Sequence, residues 1–172
     1  KKNASGFRKK SIDVAPVADM TGLSISHPDG SALQLKKSDD GSWQLATPAP
    51  NAFRFDGAVA QRVASQVAGL SAEDLADNET IDVKQAVAVA VDLREGKRVL
   101  LTLGPKRSDN TYLMQREGDA QLYVIGQWQA EQLTKKLEDF RNLSLFDFDV
   151  EKVSKMSIDI GGKKTVVSKG ED

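Results

Sequence analysis

VADMTGLSI at residues 17–25 returns as VEKVSKMSI at residues 150–158. Val17, Met20, Leu23 and Ile25 are matched by Val150, Val153, Met156 and Ile158, at a constant offset of 133 (150 minus 17, 158 minus 25). A turn and a second strand follow in both copies, LQLKKSDDG at 33–41 and TVVSKGED at 165–172. The first copy continues into Gly41-Ser42-Trp43, and the second stops at that point. The pattern predicts one complete structural unit followed by the opening hairpin of another.

Working outward from the first copy, His27-Pro28-Asp29-Gly30 is a turn, because Pro suits its second position and Gly the position that needs positive φ. Leu33 and Leu35 alternate with polar residues, Asp39-Asp40-Gly41 reverses the chain, and Trp43 and Leu45 alternate on a third strand. Thr47-Pro48-Ala49-Pro50 ends this meander. Asp56 is placed to cap a helix, whose stripe is Val59, Val63, Val67 and Leu70 at spacings of 4, 4 and 3. An acidic stretch at 71–82 follows, with a short helical turn. Val87, Val89, Val91 and Leu93 then alternate with small residues, which predicts a strand covered on both faces. Val99, Leu101 and Leu103 continue on the next strand, and residues 111–116 and 121–125 form a hairpin about Glu117-Gly118-Asp119. Leu133, Leu137 and Phe140 predict one helix over 127–140. Strands grouped with few helices between them make the class α+β, with mainly antiparallel sheet in the order βββ-α-ββββ-α-ββ. The expected organisation is a flexible basic arm at 1–15, a complete unit at 16–149, and the first hairpin of a second unit at 150–172.

Composition narrows the function without naming one. The 172 residues are 40% hydrophobic, enough for a core, and 28% charged with a net charge of −1. That balance excludes the broad basic face of a nucleic-acid binder. Lys1, Lys2, Arg8, Lys9 and Lys10 form the one local basic cluster. Without cysteine there is no disulfide, thiolate ligand or cysteine nucleophile. AVAVAV at 86–91 is far shorter than the roughly 20 residues needed to span a bilayer.

No catalytic, metal or cofactor site emerges from the candidate residues. His27, the only histidine, sits at the first position of a turn that explains it. Asp147, Asp149 and Glu151 would share one face of a strand and suit a hard cation, but the same alternation places Phe146, Phe148 and Val150 on a buried opposite face. Leu103-Gly104-Pro105-Lys106-Arg107-Ser108 lacks phosphate-loop spacing and reads as a basic hairpin tip. Trp43 is expected in the core, and Trp128, opening a helix, as half exposed. Glu73, Asp74, Asp77, Glu79 and Asp82 read as solvated surface. Asn3, Asn78 and Asn142 open formal glycosylation sequons.

The ordered segments Leu33–Lys37, Gly41–Pro48, Val59–Leu70, Leu101–Gly104, Tyr112–Ile125 and Arg141–Ile158 resemble the DUF4340 domain, a bacterial family of unassigned function. Family members often carry Tyr-Gly-Leu-x-x-Pro before the middle strands; Thr80–Gln85 here has no Pro. The resemblance implies an extracytoplasmic, repeat-bearing region tethered by an N-terminal membrane helix that is absent from this chain. It also implies association with ABC-type transport or envelope assemblies. The expected function is therefore a non-enzymatic interaction module with protein partners in the cell envelope. The alternative is a ligand-binding domain for an envelope glycan or peptide. A weak homodimer is expected through the sheet edge left open at Lys169–Asp172, since unpaired strand edges recruit strands.

Overall fold

The computed structural model describes residues 10–144 and 149–169. The chain divides into two compact units, one through Asn142 and one from Leu143.

The first unit is built on eight strands: β1 (Met20–Ser26), β2 (Ala32–Lys37), β3 (Trp43–Leu45), β4 (Asp74–Ala76), β5 (Val87–Leu93), β6 (Arg98–Lys106), β7 (Thr111–Arg116) and β8 (Leu122–Gly126). They form one antiparallel sheet in the order β3-β2-β1-β5-β6-β7-β8-β4. Two helices, α1 (Gly57–Ala68) and α2 (Gln127–Leu133), complete the α+β fold.

Side-chain alternation sets the layers. Leu23 and Ile25 of β1 pair with Leu35 and Leu33 of β2 on one side and with Val91 and Val89 of β5 on the other. Leu101, Leu103, Met114 and Ile125 extend this apolar face across β6–β8. Ala60, Val63, Ala64 and Val67 of α1 and Ala130 and Leu133 of α2 join the same core. Asp56 caps α1 as the sequence predicts, its carboxylate accepting from Ala58 N at 2.9 Å and Val59 N at 3.3 Å.

Three hairpins use one turn chemistry. Asp29, Asp40 and Asp109 each accept bonds from the backbone N–H and hydroxyl of the residue two positions on, Ser31, Ser42 and Thr111. Gly30, Gly41 and Asn110 supply the positive φ between them. These bonds dominate the lowered pKa of Asp40 and Asp109; for Asp29, the bond from Lys136 comes first.

The structure corrects four expectations. The flexible arm does not extend through residue 15, since Ile12 and Val14 are core residues and Ile12 N–H donates to Leu70 O at 3.0 Å. Ile12 and Val14 alternate with Asp13, a short strand signal that the neighbouring lysines obscure; residues 1–9 lie outside the described residues. The acidic stretch holds β4 rather than a helical turn: Leu75 and Ala76 pair with Tyr123 and Leu122, giving the stretch an apolar purpose. The predicted helix over 127–140 breaks after Leu133 and resumes as a 3-10 turn at Leu137–Phe140. Asp139 accepts from Lys136 N–H at 2.8 Å, a local bond that competes with helix continuation. Finally, β5 is covered on one face only. Ala88 is exposed and Ala90 half-buried, while a second small core of Ala76, Leu113, Leu122 and Val124 lies farther along the sheet under Ile81.

In the second unit, a 3-10 turn at Val150–Lys152 precedes β9 (Lys155–Ile160) and β10 (Lys163–Ser168), which pair with each other. The first unit has a 3-10 turn at Val17–Asp19, at the same offset of 133 (150 minus 17), just before β1. Gly161 and Gly162, at φ 58° and 80°, make the two-residue reversal between them.

Candidate functional site

The hairpin of the second unit carries an uncovered apolar face. Side chains on a strand alternate between faces, so Met156, Ile158 and Ile160 project together from β9. Their cross-strand partners are Val167, Thr165 and Lys163. Met156 is 52%, Ile158 44%, Ile160 74% and Val167 55% exposed. Val166 faces the other way, opposite Ser157. Among the described residues, five of the eight exposed large hydrophobics belong to this one hairpin: Met156, Ile158, Ile160, Val166 and Val167. Val153, which the repeat matches to Met20, is half-buried and lies just ahead of β9. The edge expected to stay open at Lys169–Asp172 includes residues 170–172, which lie outside the described residues, as do residues 145–148.

The polar candidates resolve into structural roles. The Tyr123 hydroxyl donates to the Asp119 carboxylate, which also accepts from Gln121 N–H at 2.9 Å. Burial and then that bond push Tyr123 up to about 12, while the same bond holds Asp119 below the usual carboxylate range. The two bonds tie the β7–β8 turn together. Arg116 Nε, on the adjoining strand end, is buried without a hydrogen-bond partner.

His27 donates its backbone N–H to Ser31 O and accepts from Gly30 N–H, closing its turn as expected. Its Nε2 is buried without a partner beside a cavity of about 370 Å³ bordered by Leu33, Lys136 and Leu137. Lys136 bonds Asp29 at 2.6 Å, tying the β1–β2 turn to the segment after α2 and holding Asp29 far below the usual carboxylate range. Asp149 accepts from Glu151 N–H at 3.1 Å inside the 3-10 turn, so the strand that would align it with Glu151 is not formed there. Among the described residues, no three His, Asp or Glu side chains gather as a metal site.

The remaining sequence candidates fall as follows. Trp43 is core, its Nε1 donating to Gln61 Oε1 at 3.0 Å. Trp128 is 58% exposed. Lys106 ends β6, and Arg107, at the β6–β7 turn, pairs with Glu79 at 3.3 Å. That contact ties the acidic segment to the hairpin tip. Sequence reading missed one feature, a groove of about 590 Å³ between residues 11–16 and 68–71. The Ile12/Val14 alternation was its only signal.

A family model described as a domain of unknown function, DUF4340, matches residues 84–172. The match runs from the approach to β5 through β10, and so includes the whole exposed hairpin. The resembling segments before residue 84 lie outside it. No curated protein and no solved structure matches the chain significantly.

Proposed function

The chain belongs to the DUF4340 family, and on that footing we propose that it is a non-enzymatic interaction module whose binding element is the β9–β10 hairpin. The observation that carries this reading is the row of Met156, Ile158 and Ile160 beside Val167, all exposed. Clustered apolar surface of this kind marks interaction sites, and a two-stranded hairpin is marginal in water without something packed on it. The module is placed on the extracytoplasmic side of a bacterial membrane, in a tethered protein supporting an ABC-type transport or envelope assembly. That placement rests on the family resemblance alone.

A second reading, a ligand-binding domain for an envelope peptide, is favoured by the 590 Å³ groove along residues 11–16. The groove has no aromatic lining residue to stack on a sugar ring, so it suits a peptide better than a glycan.

A photo-crosslinking residue at Ile160, compared with one at exposed Glu95 of the first unit, separates the two readings in the encoding organism. Position 160 is expected to give adducts with a membrane or envelope protein, and position 95 none. Adducts only with cytoplasmic proteins, or equal yields at the two positions, would overturn the proposal.

A further inference from the structure

The fold uses its two tryptophans differently. Trp43 is buried, and Gln61 accepts from its indole. Trp128, near the start of α2, is 58% exposed, and its indole N–H meets no partner among the described residues. Ala130 and Leu133, not Trp128, hold α2 to the core. Trp128 borders a cleft of about 360 Å³ shared with Ser71, Glu73, Gly126, Gln127 and Gln129.

Glu73 is fixed in that cleft by its backbone. Its N–H donates to Val124 O at 2.8 Å, its carbonyl accepts from Lys10 Nζ, and the adjoining Ala72 N–H donates to Lys10 O at 2.7 Å. The Glu73 carboxylate lies against Gly126, where an added Cβ would collide with it. Gly126 has a φ of −74°, which any residue adopts, so what glycine supplies here is room for the carboxylate. That carboxylate takes no hydrogen bond or ion pair among the described residues, and neither does the Gln129 amide. Gln127 differs, since Lys106 and Glu131 occupy its amide at 3.3 and 2.7 Å. The cleft therefore joins an open aromatic side chain, a free pair of acceptors, and a free amide that both donates and accepts.

We propose that this cleft binds a neutral, gluco-configured sugar ring of a glycan. Such a ring carries its hydroxyls around the rim and its C–H bonds on the faces, so one face lies on the apolar indole. Two neighbouring hydroxyls donate to the Glu73 carboxylate in charge-assisted bonds, and the Gln129 amide meets a third. A small number of placed polar groups beside an apolar platform is what a small-ligand site requires, and the volume lies at the small end of the usual range of about 300–1,000 Å³. A cationic group also suits an indole beside a carboxylate, but the local charge disfavours it. The Lys10 ammonium already sits on the Glu73 carbonyl and 3.9 Å from Asp74, and Lys106 stands at Gln127. A further ammonium meets repulsion from both lysines, and a neutral sugar does not.

The site belongs to the first unit and goes beyond the hairpin reading, so either can fail alone. The test titrates cellotriose, triacetylchitotriose and tetralysine separately into the isotope-labelled full chain and follows the two indole N–H resonances. The Trp128 resonance is expected to shift saturably with a trisaccharide, at a Kd of about 1 mM or tighter. The Trp43 resonance should stay still and report an intact core. Glu73→Gln keeps the size of the side chain, and Gly126→Ala keeps Glu73 but displaces its carboxylate; each should weaken binding about tenfold. No shift with either trisaccharide at about 10 mM, or unchanged binding in both variants, would overturn the proposal. So would a stronger response to tetralysine than to either sugar, which would make the cleft a cation site.

Discussion

Phe140→Ala is expected to destabilise the first unit by about 3–5 kcal/mol, the range for emptying a buried aromatic site. Phe140 is fully buried and stacks on Phe55, with ring centroids 6.1 Å apart and planes 9° from parallel. Its backbone O accepts from Asp56 N–H at 2.8 Å, so the residue also holds the cap of α1. Around it, Phe55 bridges Arg141, Asn142 N–H donates to Arg54 O, and the Arg141 guanidinium lies over the Phe53 ring at 5.4 Å. The neighbours are therefore fixed by backbone bonds and cannot collapse into the vacated space. Urea unfolding of the variant checks this, with Phe140→Leu expected to lose less because it keeps most of the volume. A loss below about 1 kcal/mol for the alanine variant would mean that the site relaxes and the account of this corner is wrong.

Ile12→Ala is the second large effect, expected to cost about 2–4 kcal/mol. The basic composition around it suggests a loose arm, and substitutions in such a segment fall within about 0.5 kcal/mol. Instead Ile12 is 2% exposed, and its segment is stitched to residues 70–72 by Ile12 N–H to Leu70 O and Ala72 N–H to Lys10 O. Replacing it opens a void between this segment and the end of α1. Chemical denaturation distinguishes the two descriptions directly, since a near-zero change would return residues 10–15 to an arm.

Much of the fold was legible because its signals are local. Asp-Gly turns, the Asp56 cap, the α1 stripe and the valine alternation of β5 each state a conformation within a few residues. What escaped depends on distant partners. β4 is three residues long in an acidic stretch, and only its pairing with β8 makes it a strand. The end of α2 turns on the bond between Asp139 and Lys136, which helical spacing of Leu133, Leu137 and Phe140 does not reveal. Ala88 and Ala90 are small enough for a covered face, but the elements that would cover them pack elsewhere.

The candidate site was legible in a different way. The repeat at offset 133 predicted the hairpin, whose turn is Gly161-Gly162. Periodicity also gave the apolar face, Met156 with Ile158. It could not give that face's exposure, because exposure is a statement about what packs there. Comparison with Leu23 and Ile25, the same pattern under a helix, supplies that meaning.

The central claim is that the β9–β10 hairpin is a binding element and contributes nothing to the stability of the first unit. Every buried hydrophobic residue among those described lies between Ile12 and Phe140, and none belongs to β9 or β10. Thermal melting of the full chain beside a version lacking residues 149–172 tests the claim most directly. The account predicts melting temperatures that agree within about 1 °C, with the shortened protein folded and monomeric. A fall of about 4 °C or more, or failure to fold, would place the hairpin inside the first core and contradict it.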